Sequence, residues 1–134
     1  MKTGILHHIE INVANLDRSV RFWDWLLKEL GYEEFQNWEQ GRSWKLGDTY
    51  LVFVQTEERF LDVPYHRCRS GLNHLAFHAE STQHVELLTN KLREKGVNIL
   101  YNKKHPFAGG EHHFAAYFED PDRMKVEIVA TYNR

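Results

Sequence analysis

The chain has 134 residues, 42% of them hydrophobic and 27% charged, and carries a net charge of −2 with its nine histidines neutral. This is the composition of a soluble globular protein of one-domain size, and the weak charge gives no electrostatic reason to expect nucleic acid or anionic lipid as a partner. No apolar run is long enough to span a bilayer, no apolar secretion segment follows Met1, and the lone Cys68 excludes an internal disulfide and fits a cytoplasmic location.

The first predicted element is a strand. In "HHIEINV" the apolar Ile9, Ile11 and Val13 alternate with His8, Glu10 and Asn12. Alternation with period 2 puts His8 and Glu10 on one face, about 7 Å apart along the strand. "NLDRSVRFWDWLLKELG" then reads as an amphipathic helix, with Asn15 or Asp17 as its cap, Val20, Trp23, Leu27 and Leu30 at helical spacing, and Gly31 as its stop. Three short strands are predicted at Tyr32–Gln36, Ser43–Leu46 and Tyr50–Gln55, with turn residues between them.

"TEERFLDVPYHRCRSG" has no clear period and reads as a connector. "LNHLAFHAES" repeats the opening strand pattern, with Leu75, Phe77 and Ala79 set against His74, Ala76 and His78. A second helix follows, capped by Ser81 or Thr82, striped by Val85, Leu88 and Leu92, and stopped by Gly96. Strands are predicted at Val97–Tyr101, His113–Glu119 and Lys125–Ala130.

The order strand, capped helix, glycine stop, three strands therefore occurs twice. The leading histidines (8 and 74) and the stopping glycines (31 and 96) are offset by nearly the same interval, as expected of an internal repeat. The expected fold class is α+β: two repeated βαβββ modules, 1–56 and 72–134, joined by a connector at 57–71 in one domain. The modules are expected to form a half-open, barrel-like sheet with outer helices. With each helix on the outer face, the inward set is His8, Glu10, Asn12, His74, Ala76, His78, His113, Ala115, Tyr117, Lys125 and Glu127. A solvated face is ordinarily rich in lysine and glutamate. This one is rich in histidine, as a polar cavity lined by metal ligands would be.

These residues carry a family resemblance. The chain resembles the vicinal oxygen chelate superfamily, which includes glyoxalase I, methylmalonyl-CoA epimerase, extradiol dioxygenases, and fosfomycin-resistance and bleomycin-binding proteins. The family's first strand and helix are matched by His8-Ile9-Glu10-Ile11-Asn12-Val13 and Leu16-Asp17-Arg18-Ser19-Val20-Arg21-Phe22-Trp23. Its mid-chain signature is matched by Gly71-Leu72-Asn73-His74-Leu75-Ala76-Phe77. Its closing signature is matched by Tyr117-Phe118-Glu119-Asp120-Pro121-Asp122 followed by Val126-Glu127-Ile128. Each motif is weak alone; the three in order and at family spacing are specific.

The resemblance implies one divalent metal ion (Zn, Ni, Mn, Fe or Co) held by His8, His74 and Glu127, a small-molecule substrate, and a homodimer. Two imidazoles and a carboxylate suit such ions and leave positions open. Two departures matter. The fourth ligand of glyoxalase I falls at Val52, which cannot bind a metal, so the set resembles the three-ligand subset. Arg123-Met124 stands where the family usually has Gly-Asn, which alters a turn. Glu10 is a candidate for the missing carboxylate or for a general base. His113 and Tyr117 are the other candidate catalytic residues, the first as acid, base or extra ligand and the second as a hydrogen-bond donor to an oxyanion. His7 is read as facing away from His8, and the loop from Lys103 to His113, with its Gly109-Gly110 pair, as either a lid or a surface hairpin.

The chemistry implied is that of a metal holding two adjacent substrate oxygens. The expected activity is that of a glyoxalase-like lyase or isomerase. The alternatives are a fosfomycin-resistance-type transferase or hydrolase, a small ring-cleaving dioxygenase, and a ligand-binding module without catalysis. Fold alone does not choose among them.

Overall fold

A computed structural model describes residues 3–131, and the chain divides into two compact units, Met1–Pro64 and Tyr65–Arg134. The first contains β1 (His8–Val13), α1 (Leu16–Glu29), β2 (Glu33–Trp38), β3 (Gly41–Leu46) and β4 (Thr49–Gln55). A single 3-10 turn, Glu58–Phe60, lies in the segment read as a connector. The second unit contains β5 (His74–Ala79), α2 (Thr82–Glu94), β6 (Ile99–Leu100), β7 (Phe114–Glu119) and β8 (Lys125–Ala130). Each unit is a βαβββ module with one four-stranded sheet, so the α+β class and the repeat stand. No helix among the described residues is long and apolar enough to cross a membrane.

Both sheets have the same topology. The last strand of each module returns to pair in parallel with the first, giving the orders β1-β4-β3-β2 and β5-β8-β7-β6. Local chemistry accounts for the helices. The Asn15 side chain accepts from the Arg18 N–H at 3.1 Å and the Ser81 hydroxyl from the His84 N–H at 3.0 Å, each satisfying a donor that has no partner within its helix. Gly31 and Gly96 end the helices with φ of +94° and +76°, a backbone region that costs glycine little.

Each helix buries its apolar stripe on one face of its own sheet. In the first unit Trp23, Leu26 and Leu27 are fully buried, with Trp23 stacked on Phe53 at 4.8 Å and Trp44 edge-on to the same ring at 5.9 Å. In the second, Val85, Leu88 and Leu92 join Phe118, Val126 and Ile128 in the core. Strand alternation then sends Val52 and Ser43 in one sheet, and Glu127 and Tyr117 in the other, to the face away from the helix.

The strands of the first unit differ from the sequence reading by one or two residues at their ends, β2 running Glu33–Trp38, β3 Gly41–Leu46 and β4 Thr49–Gln55, and two strands of the second unit differ as well. The segment expected at Val97–Tyr101 shrinks to Ile99–Leu100, because Tyr101 takes a left-handed φ of 57° and leaves the ladder. The strand expected from His113 begins at Phe114, so His113 belongs to the loop before it. Trp38 is 43% exposed and lies over Gly41, where a Cβ would collide with its ring.

A polar network supports the end of β7. Glu119 accepts from Asn98 at 2.8 Å, from Arg123 at 3.2 Å and from Arg67, whose guanidinium also reaches the Arg123 carbonyl at 2.9 Å. Arg123 has a φ of 63° where the family usually has glycine, and its ion pair with Glu119 offsets part of that strain. Burial pulls the Glu119 carboxyl up, but the bonds from Asn98, Arg67 and Arg123 outweigh it and hold the group below its ordinary 4.5. A carboxylate held low contributes stability above its unfolded pKa and loses it as pH falls through the folded value. Urea midpoints are therefore expected to drop on acidification below pH 4.5, and the gap between wild type and Arg67→Ala to narrow there. A gap that stays constant down to about pH 3 would contradict the assignment.

Candidate active site

Glu127 is the centre of the arrangement in the second unit. It leaves the face of β8 opposite the helix, pairs in register with Tyr117 on β7 and Ala76 on β5, and is only 4% exposed. His74, one pleat from Ala76 on the same face, brings Nε2 to 3.0 Å from Glu127 Oε1. His113 comes from the loop and places Nε2 on Oε2 of the same carboxylate. Each carboxylate oxygen thus meets an imidazole nitrogen.

The proton inventory at His74 is informative. Its Nδ1 lies 2.7 Å from Asn73 Oδ1, an acceptor, and in the tautomer with the hydrogen on Nδ1 it donates there. In that tautomer Nε2 presents its lone pair to Glu127 Oε1. Two acceptors 3.0 Å apart need a proton between them or a cation that takes both. Anchoring the far nitrogen of a ligating histidine is the usual way of fixing its tautomer and ring. A carboxylate so deeply buried also requires charge compensation, for which neutral imidazoles are poor. The pair His74–Glu127 thus fits a divalent ion by its donor chemistry. Among the described residues no group of three or more His, Cys, Asp or Glu side chains is arranged so as to hold an ion unaided.

Tyr117 completes this face. It is 9% exposed, its ring stands edge-on to His74 at 6.1 Å, and its hydroxyl is hydrogen-bonded to Glu127. Burial foremost, then the charge and hydrogen bond of Glu127 and the neighbouring Tyr101, push its pKa up to about 12. The hydroxyl accordingly keeps its proton at neutral pH and donates.

The loop before β7 is held against this group by close packing. A Cβ on Gly109 would fall 2.5 Å from His113 Cδ2 and 2.6 Å from the Tyr117 hydroxyl, so only glycine fits over the two rings. The Pro106 carbonyl accepts from the Ala115 N–H at 2.9 Å, and Phe107 meets Phe114 edge-on at 5.6 Å. The loop is ordered and packed on the site by these contacts.

In the first unit His8 and Glu10 are exposed on the face of β1 away from the helix. The His8 ring stacks on Tyr50 at 4.8 Å with an interplanar angle of 5°. His7 does not face away: its Nδ1 is 2.8 Å from Nδ1 of His8, one ring donating to the other. Glu10 is in register with Val52, buried to 2%, and Val52 with Ser43. A carboxylate therefore stands on the strand beside the valine that occupies the family's fourth ligand position.

The structure thus groups His74, His113, Tyr117 and Glu127 in the second unit and sets His8 and Glu10 beside Tyr50 and Val52 in the first. Sequence reading gave no role to Asn73 or Tyr101, and placed Gly109 only in the glycine pair of a loop read as a lid or a surface hairpin. Asn73 adjoins His74 in the mid-chain motif and Gly109 belongs to a conspicuous Gly-Gly pair, so both had a local signal; Tyr101 had none.

Comparison with known proteins gives the family of the chain and its fold relatives. Residues 5–128 match the model of the Glyoxalase/Bleomycin resistance protein/Dioxygenase superfamily. The chain is 59% identical over 125 residues to the uncharacterized protein YqjT of Bacillus subtilis, covering 93% of this chain and 98% of that protein. It is 30% identical to the glutathione transferase FosA of Serratia marcescens, covering 92% of this chain and 78% of the relative. A crystal structure of a Bacillus halodurans protein described as a candidate glyoxalase superposes with a TM-score of 0.95 at 62% identity, covering 96% of each chain. Lactoylglutathione lyase from Agrobacterium tumefaciens shares the fold, with a TM-score of 0.66 at 18% identity over 96% of this chain and 94% of that one. The chain belongs to the glyoxalase/bleomycin resistance protein/dioxygenase superfamily.

Proposed function

We propose that this protein is a metal-dependent enzyme that binds one divalent ion through His74 and Glu127, with His8 as the third ligand, and acts as a glyoxalase-like lyase or isomerase on a small substrate presenting two adjacent oxygens. The observation that carries the reading is the placement of His74 Nε2 3.0 Å from the buried Glu127 carboxylate, with Nδ1 2.7 Å from Asn73 Oδ1. The ion, when bound, supplies Lewis acidity toward the substrate oxygens.

The remaining work falls to side chains. Tyr117, held protonated, turns the hydrogen it gives Glu127 toward negative charge developing on the substrate. His113 holds or moves a proton at Nε2 from its seat under Gly109. Glu10, exposed beside Val52, is proposed as the base that takes the substrate proton. The active form is proposed to be a homodimer, twofold association being the commonest assembly.

A second reading, a transferase of the fosfomycin-resistance type, is favoured by the FosA relative and by the apolar Val52. Titration of Mn(II), Ni(II) and Zn(II) into chelator-treated protein tests both at once. Saturable uptake of one ion per chain is expected, weakened in His8→Ala, and no saturable uptake would overturn both readings. With the metal in place, deuterium exchange from solvent into the carbon beside a carbonyl of small 2-hydroxycarbonyl compounds supports the lyase or isomerase. Consumption of a thiol without such exchange supports the transferase.

A further inference from the structure

Beside the His74–Glu127 centre stands a cation whose natural partner is already engaged. Lys125 precedes Glu127 by one pleat on β8, so both side chains leave the same face of the sheet. Its neighbours in register are His74 on β5 and Glu119 on β7. Opposite charges at such positions ordinarily pair. Glu119, however, is occupied by Asn98, Arg67 and Arg123. The Lys125 ammonium instead donates to the Tyr101 hydroxyl at 3.3 Å and lies 5.6 and 5.8 Å from the ring centroids of Tyr101 and Tyr117.

An independent feature points to the same place. Tyr101 adopts a φ of 57°, a region where bulky side chains are genuine outliers, although Asn102, which would tolerate it better, is the next residue. The backbone is held there by bonds from the Lys104 and His105 N–H groups to the Tyr101 carbonyl at 2.9 and 3.0 Å. The strained turn sets the Tyr101 ring edge-on to Tyr117 at 5.5 Å and its hydroxyl on Lys125, with the ring still 48% exposed. Strain retained at one residue, where it aims a polar group, is characteristic of a functional position.

We propose that Lys125, framed by Tyr101 and Tyr117, forms an anion subsite that takes a carboxylate or phosphoryl group of the substrate, one pleat from Glu127. The substrate is then a small molecule that is both oxygen-bidentate and anionic; its bidentate part rests on the metal-dependent reading above, while the anion subsite does not. The ammonium offers hydrogens that its aromatic surroundings leave uncommitted, and an oxyanion forms charge-assisted bonds with it while the tyrosine hydroxyl adds another donor.

The test is a titration of metal-free protein at low ionic strength with acetate and, separately, with inorganic phosphate, followed by NMR shifts of Tyr101, Tyr117 and Lys125. Saturable shifts with at least one anion are expected, and the tighter of the two names the group. Lys125→Gln is expected to weaken binding about tenfold or more and Lys125→Arg to retain it within about threefold, since the charge and donors persist. Tyr101→Gly, which relieves the strained φ, is expected to keep the fold and weaken the anion several-fold. No saturation by either anion, or equal binding in Lys125→Gln, would overturn the subsite. A protein that binds phosphate through Lys125 yet takes up no metal keeps the subsite and loses the metal-dependent reading.

Discussion

Glu127→Ala is expected to lower divalent-metal affinity by about a hundredfold or more, beyond the loss typical of removing a supporting outer contact. The carboxylate is the one anionic donor of the His74, His113 and Tyr117 group, and both its oxygens face imidazole nitrogens. Its removal leaves neutral donors with nothing to offset a dication. The effect on folding should differ in kind. Glu127 is buried to 4% exposure with imidazoles and a phenol around it, so the folded chain carries the desolvation cost of the charge. Glu127→Gln, which preserves the shape and can still accept from Tyr117, is therefore expected to leave the metal-free protein at least as stable as wild type while reducing metal uptake nearly as far as alanine does. Calorimetric titration of the metal and urea unfolding of the metal-free protein measure the two separately. A carboxylate with a purely structural role would show the opposite split, with stability lost and metal uptake kept, and metal stoichiometry equal to wild type in Glu127→Ala would end the assignment.

Gly109→Val is expected to dislodge His113 from Glu127 and to cost about 1–3 kcal/mol, the usual range for a side chain forced into filled space. A Cβ alone comes within 2.5 Å of His113 Cδ2 and 2.6 Å of the Tyr117 hydroxyl. Each neighbour moves only by giving up contacts. Tyr117 is buried between Glu127 and Tyr101, and His113 is tied by Nε2 to the carboxylate. Either the loop lifts, breaking the Pro106–Ala115 bond and the Phe107–Phe114 contact, or the His113 ring swings out. Both outcomes change the His113 imidazole resonances, and the first also lowers the urea midpoint. Unchanged His113 shifts together with unchanged stability would show that the loop does not seat on this face.

Much of the fold was legible locally. Ile9, Ile11 and Val13 against His8, Glu10 and Asn12 state a strand with period 2, and Leu75, Phe77 and Ala79 state it again. Asn15 and Ser81 sit where helix caps are needed, and the structure uses both. Gly31 and Gly96 stop the helices with the positive φ that favours glycine. These signals depend on residues within a turn or a pleat of one another, which is why spacing alone reveals them. The weaker ends were misjudged where one residue adopts an unusual backbone. Tyr101, an aromatic of high strand propensity, turns left-handed and ends β6 two residues after it begins.

The site shows the same division. His74 and Glu127 were nameable because each lies in a motif with its own spacing, and their shared face follows from alternation. Their contact required the parallel pairing of β5 with β8, which sets Ala76 beside Glu127 and His74 beside Lys125. That register joins residues about fifty apart in the chain. It is selected by burial of Val126 and Ile128 against α2, since a one-residue slip would turn Glu127 into the core. The tie of His113 to the carboxylate, the glycine seat above it, and the capture of Glu119 that leaves Lys125 without its cross-strand partner depend on loop packing and long-range pairing. Periodicity records which face a side chain leaves from. Which groups meet on that face is decided by non-local contacts, and only the folded chain contains those.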